Sequence, residues 1–130
     1  MAAEGASAAG ADARILLVDD EVSALEVLAL ILRGEGMHVT AAPDARQALQ
    51  KLDDAAPQLV VVDFMMPGMN GAELARAIRA RPGHATVPVL LVSGAPESAL
   101  RPYRDSYDAF LRKPFRLEQF LDAVGGLLRR

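Results

Sequence analysis

Leu59-Val60-Val61-Val62-Asp63 sets four branched aliphatic residues end to end and closes them with a carboxylate. A run this short, with no polar residue to alternate, fits a strand buried on both faces. Three other stretches share the form. Ile15-Leu16-Leu17-Val18 leads into Asp19-Asp20, Val89-Leu90-Leu91-Val92 leads into Ser93, and Asp108-Ala109-Phe110-Leu111-Arg112 leads into Lys113-Pro114. Helix-like patterns lie between them. Over residues 21–33, Val22, Leu25, Leu28, Ala29 and Leu32 recur at helical spacing, and Gly34 and Gly36 can stop the helix. Residues 37–41 read as a second strand. Asp44 can cap a helix to about residue 52. Asn70, after the loop Pro67-Gly68-Met69, can cap a helix over 72–80 that Arg81-Pro82-Gly83 ends. Residues 88–92 read as the fourth strand, 96–104 as a weak polar helix and 107–112 as the fifth strand. Leu117, Phe120, Leu121, Val124 and Leu128 make a last amphipathic helix.

Strand–helix alternation of this length means βαβ units, which are right-handed in nearly all cases. The expected architecture is α/β, with five parallel strands in the order 2-1-3-4-5 and five helices. Open sheets of this kind carry their sites beyond the carboxyl ends of the strands. All four polar run-ends would then share one edge.

Composition narrows the function further. At 130 residues, 52% hydrophobic and 24% charged, the chain suits one globular domain with a real core. A net charge of −3 argues against general nucleic-acid binding. There is no cysteine, hence no disulfide framework or thiolate ligand. No apolar run approaches the ~20 residues of a membrane span. Residues 1–13 are rich in Ala, Gly and Ser and read as a disordered tail, with 14–130 as the domain. Without an export signal, the expected compartment is the cytoplasm.

Asp19, Asp20 and Asp63 would meet at the edge shared by the first and third strands. Two like charges ~5 Å apart repel by ~3 kcal/mol at an effective dielectric near 20. Either some protons stay on, or a cation sits among them. An all-oxygen set with open positions favours Mg²⁺, and neither His38 nor His84 falls at a strand end to support zinc. Asp63 could act as a nucleophile and form an acyl phosphate. Phosphoryl transfer is mainly positioning and charge neutralisation, which Lys113 and the Ser93 hydroxyl could supply. Lys113 is one of only two lysines beside 12 arginines, so a compact point charge is wanted there. Pro114 can hold a cis bond after it.

Val18-Asp19-Asp20-Glu21, Asp63-Phe64-Met65-Met66-Pro67-Gly68-Met69-Asn70-Gly71, Ser93-Gly94-Ala95 and Phe110-Leu111-Arg112-Lys113-Pro114-Phe115 resemble the signature blocks of response-regulator receiver domains. The resemblance covers residues 14–128. It implies a flavodoxin-like fold that accepts phosphate from a histidine kinase or histidine phosphotransfer protein. Asp63 would be the phosphoacceptor. Asp19 and Asp20 would be the acidic pair at Mg²⁺, with Asp20 the more direct ligand and Met65 adding a backbone carbonyl. Ser93 and Lys113 would contact the phosphoryl group, and Phe110 would be the aromatic switch. The surface of the fourth helix, fifth strand and fifth helix would change with state to control a partner protein, a homodimer among them. As no output segment follows Arg130, the expectation is a stand-alone receiver.

This sequence also departs from common versions of the family. Met65 and Ala95 are apolar where they border the phosphoryl group, so slow loss of phosphate is expected. Phe110 lacks the hydroxyl of a tyrosine. Rival readings are a receiver-like binding module that is never phosphorylated, a small cofactor binder and a phosphohydrolase. The cofactor binder is disfavoured by acidic Asp19-Asp20-Glu21 where a phosphate cradle is needed. The phosphohydrolase is disfavoured by Met65 in place of a second acid.

Overall fold

The computed structural model describes residues 11–130. Five strands, β1 (Arg14–Val18), β2 (His38–Ala42), β3 (Leu59–Asp63), β4 (Val89–Ser93) and β5 (Ala109–Arg112), alternate with helical segments. These are α1 (Val22–Gly34), α2 (Ala45–Ala55), α3 (Gly71–Arg79), a 3₁₀ segment η1 (Glu97–Ser106) and α4 (Leu117–Leu128). All strand pairs are parallel, in the order β2-β1-β3-β4-β5, as the alternation predicts. Residues 1–10 of the expected tail lie outside the described residues. At its far end the chain is already held: Asp12 N–H donates to the Gly36 carbonyl, and Ala13 is buried.

The sheet has two covered faces, which explains the unbroken apolar runs. Leu16, Val18, Val60, Val62, Val89 and Leu91 face α2, α3 and η1. Ile15, Leu17, Leu59, Val61, Leu90 and Val92 face α1 and α4. Successive residues of a strand point to opposite layers, so each run is buried in both registers. Every residue of β3 and β4 is buried, Asp63 and Ser93 included.

Local chemistry fixes the element ends. Asp44 accepts from Gln47 N–H at 2.7 Å and starts α2. Asn70 and Glu73 form a reciprocal cap at the start of α3. The strand expected over 107–112 begins at Ala109; just before it Asp108 N–H donates to the Val89 carbonyl at 2.9 Å, while its carboxylate accepts from Val89 N–H at 2.8 Å and pairs with Arg79 and Arg130. Arg79 also donates to the carbonyls of Val87 and Asp105. This staple gathers the ends of α3, η1 and α4 and the starts of β4 and β5 at the amino-terminal rim of the sheet. The weak fourth helix is 3₁₀, with Pro102 inside and a break at Tyr103 (φ −112°, ψ 16°). Proline lacks the N–H and crowds the carbonyl four residues back, so an α-helix cannot run through it cheaply.

Candidate functional site

Parallel pairing brings the ends of β1, β3, β4 and β5 to the carboxyl rim of the sheet. Register sets Val18 beside Val62, Asp63 beside Val92, and Ser93 beside Arg112. The polar residues that follow these runs therefore converge. Asp19, Asp20 and Asp63 each offer a carboxylate oxygen, all within 4.8 Å of one another. Lys113 Nζ stands 3.2 Å from Asp63 Oδ1 and 3.4 Å from Asp19 Oδ2. Residues separated by up to 94 positions thus meet in one pocket.

The three acids differ in setting. Asp63 is buried at the end of β3, and Asp19 is buried with Oδ1 accepting from Glu21 N–H at 3.0 Å. Asp20 is exposed. Burial raises the Asp63 carboxyl from 3.8 to about 6; Lys113 pulls against that rise, and Asp19 and Asp20 add to it. Burial works against the charge on Lys113, but the carboxylates of Asp63 and Asp19 outweigh it and raise its value. Three oxygen acids packed this closely suit a hard divalent cation that keeps part of its water shell. Nitrogen and sulfur donors are absent from the cluster. The donor set fits Mg²⁺.

Ser93 is fully buried, and its hydroxyl accepts from Ala95 N–H at 3.0 Å. Lys113 is aligned through its backbone, whose N–H donates to the Ser93 carbonyl at 2.8 Å. The Lys113–Pro114 peptide is cis. Phe110 is half-buried on the α3–η1 side of the sheet, its ring 6.5 Å from that of Tyr107. Met65 is 61% exposed in the loop after β3. That loop is pinned by Phe64 N–H to the Val92 carbonyl and by Gly71 N–H to the Phe64 carbonyl.

Two neighbours of the pocket are not evident from sequence. A Cβ on Gly71 would stand 2.3 Å from the Asp63 carbonyl oxygen. Glycine is therefore required so that α3 can start against the end of β3; the available signal was a glycine directly after a capping Asn. The second is Tyr103, which reaches Phe64 and Asn70 from η1. Nothing in its local sequence marks it.

The chain is similar to known proteins over most of its length. The chain is 35% identical over 119 residues to the DNA-binding response regulator MtrA of Mycobacterium tuberculosis, covering 90% of this chain and 51% of that protein. It is 32% identical over 121 residues to the transcriptional regulatory protein TrcR of the same organism, covering 93% and 47%. The chain thus spans about half the length of the curated relatives it matches. Among solved structures, the chemotaxis protein CheY4 of Vibrio cholerae superposes with TM-score 0.82 at 29% identity, over 90% of this chain and 99% of that one. The response regulator TrrA of Thermotoga maritima, in complex with Mg(2+)-BeF, gives TM-score 0.79 at 29% identity, over 88% and 98%. The model of the response regulator receiver domain matches residues 15–125. A match of that extent, on a sheet of this order and a pocket of this make-up, places the chain in the family of response regulator receiver domains.

Proposed function

We propose that this chain accepts a phosphoryl group on Asp63 from a histidine kinase or a histidine phosphotransfer protein, with Mg²⁺ bound at the acidic pocket. The observation that carries this reading is the Asp63 carboxylate lying between an ammonium and two further carboxylates. An Asp63 oxygen attacks phosphorus in line with the phosphohistidine nitrogen. The O–P bond forms, the N–P bond breaks, and the freed imidazole keeps the electron pair until it takes a proton from water. The product is an acyl phosphate. Asp19, Asp20, Asp63 and the Met65 carbonyl would hold the Mg²⁺, which supplies positive charge beside the transferring oxygens. Lys113, already paired with Asp63, neutralises a second oxygen. Ser93 donates to a third after its hydroxyl gives up the Ala95 N–H.

The donor's helix is expected against α1, where Val22 and Val27 are exposed and a groove of about 610 Å³ runs between α1 and the Lys113–Phe115 turn. The output is expected on the face of η1, β5 and α4: the inward shift of Ser93 leaves room for Phe110, so that this face differs between states and controls a partner protein or a homodimer. A cytoplasmic site of action follows from the kinase partner. Met65 and Ala95 offer no side-chain hydrogen bond to an attacking water, so the acyl phosphate is long-lived.

Incubation with acetyl phosphate and Mg²⁺, followed by intact mass, tests the assignment. One added phosphoryl on the wild type and none on Asp63→Asn is the expected result, and equal labelling would move the acceptor elsewhere. No labelling of the wild type by either a small donor or a phosphohistidine donor would leave the unphosphorylated binding module as the better reading. Met65→Asn and Ala95→Glu should each shorten the label's half-life; unchanged decay in both would remove the explanation for slow hydrolysis.

A further inference from the structure

Tyr103 stands 40 positions from Asp63 yet touches the loop that leaves it. Its ring lies 5.6 Å from that of Phe64, the residue after Asp63. Its hydroxyl accepts from Asn70 Nδ2 at 3.3 Å, while Asn70 Oδ1 caps α3. The Arg76 guanidinium lies 5.0 Å over the ring and donates to the Pro102 carbonyl at 3.0 Å. Tyr103 is also the break in η1, where two helical pieces join. Leu100, fully buried, already anchors η1 to the core. Tyr103 packs beside that anchor and in addition contacts a helix cap and a cation.

We propose that Tyr103 is a positioning residue that carries the state of Asp63 to η1 through Phe64 and Asn70, separately from the Ser93–Phe110 route; this rests on the reading of Asp63 as the phosphoryl acceptor. New charge on Asp63 draws on the loop from Phe64 to Asn70. The backbone of Phe64 is fixed by its bond to Val92, so the movement falls on the Phe64 ring and the Asn70 side chain, both of which Tyr103 holds. A helix without a break would resist that pull as a rigid rod. The break lets η1 bend at Tyr103, while Glu97 at its start stays tied to Tyr107 at its end. At its far end η1 has a second aromatic attachment: Tyr107 faces Phe110 and donates to Glu97 at 3.0 Å. The segment is thus held by two rings, one beside the residue that follows Asp63 and one beside the switch position behind Ser93. A ligand shifts such an element only through contacts that differ between its two arrangements, and the Tyr103 contacts supply one such set.

The chain lacks cysteine, so Ser98→Cys on the exposed side of η1 takes a single environment-sensitive dye. Mg²⁺ with beryllofluoride is then added, and acetyl phosphate labelling is followed in parallel by intact mass. In a Tyr103→Leu background the dye response should fall to roughly half or less, since two attachments share it. Phosphoryl uptake should stay near wild type. Tyr103→Phe, which keeps the ring, should recover most of the response. A full response in Tyr103→Leu, alongside normal uptake, overturns the relay and leaves the acceptor assignment standing. No uptake by the wild type from acetyl phosphate or from a phosphohistidine donor overturns both. A second measurement does not depend on the Leu variant folding. The chain has no Trp and two Tyr, so Tyr107→Phe leaves Tyr103 as its sole tyrosine. Its emission should change when Mg²⁺ and beryllofluoride bind, and constant emission overturns the relay.

Discussion

Replacing Asp63 with Asn should stabilise the metal-free chain at pH 8. The wild-type carboxyl is buried beside Asp19 and Asp20, and its value rises from 3.8 to about 6 despite Lys113. A carboxyl whose folded value exceeds its unfolded one favours the folded state in its protonated form. That benefit is full below 3.8 and is lost as pH rises through about 6. The difference between those two values corresponds to an upper limit of about 3 kcal/mol. Water on the open side of the pocket screens part of it, leaving ~1–2 kcal/mol. Asn removes the charge at nearly constant volume, and Lys113 keeps Asp19 at 3.4 Å. For a domain of this size the expected gain is roughly 4–8 °C in Tm. Thermal unfolding of both proteins with a chelator, at pH 8 and at pH 4.5, tests it. The gap should be wide at pH 8 and narrow at pH 4.5. Added Mg²⁺ should also close it, by stabilising the wild type more through mass action. A variant less stable than wild type at pH 8, or an equal gap at both pH values, would refute the reasoning.

Gly71→Ala should lower stability by ~1–3 kcal/mol and reduce phosphoryl uptake, because its Cβ cannot share space with the Asp63 carbonyl 2.3 Å away; a wild-type urea midpoint would count against the close approach. Ser106→Ala should be neutral or stabilising by up to ~1 kcal/mol, since the buried hydroxyl has no partner among the described residues; a clear loss in the same urea assay would mean that the hydroxyl is bonded. Arg79→Met should cost ~2 kcal/mol by leaving Asp108 and the Val87 carbonyl short of donors. Arg116→Met, at a pair 78% and 74% exposed, should cost close to nothing.

The sheet was legible because Val60, Val61 and Val62 leave no alternation to mistake for a one-sided strand. The strand ends were legible for a related reason: a carboxylate or ammonium directly after a buried run has one edge to occupy. Element limits shifted where side chains took backbone partners. The Asp108 carboxylate took Val89 N–H just before β5, and Asp19 took Glu21 N–H, which left Glu21 as the residue before α1. The weak polar helix expected over 96–104 is 3₁₀ instead, with Pro102 inside it. The Gly71 approach and the reach of Tyr103 are tertiary facts, created when α3 and η1 pack together. No spacing along the chain encodes them.

The staple around Asp108 has a further consequence. Arg79, Asp108 and Arg130 tie the molecule together at one rim, and the charged pocket lies wholly at the other. Anchorage and chemistry therefore draw on separate sets of residues. Changes confined to exposed positions of the pocket side, such as Asp20 and Met65, leave that staple untouched, whereas Gly71, pressed against the Asp63 carbonyl, does not share this freedom.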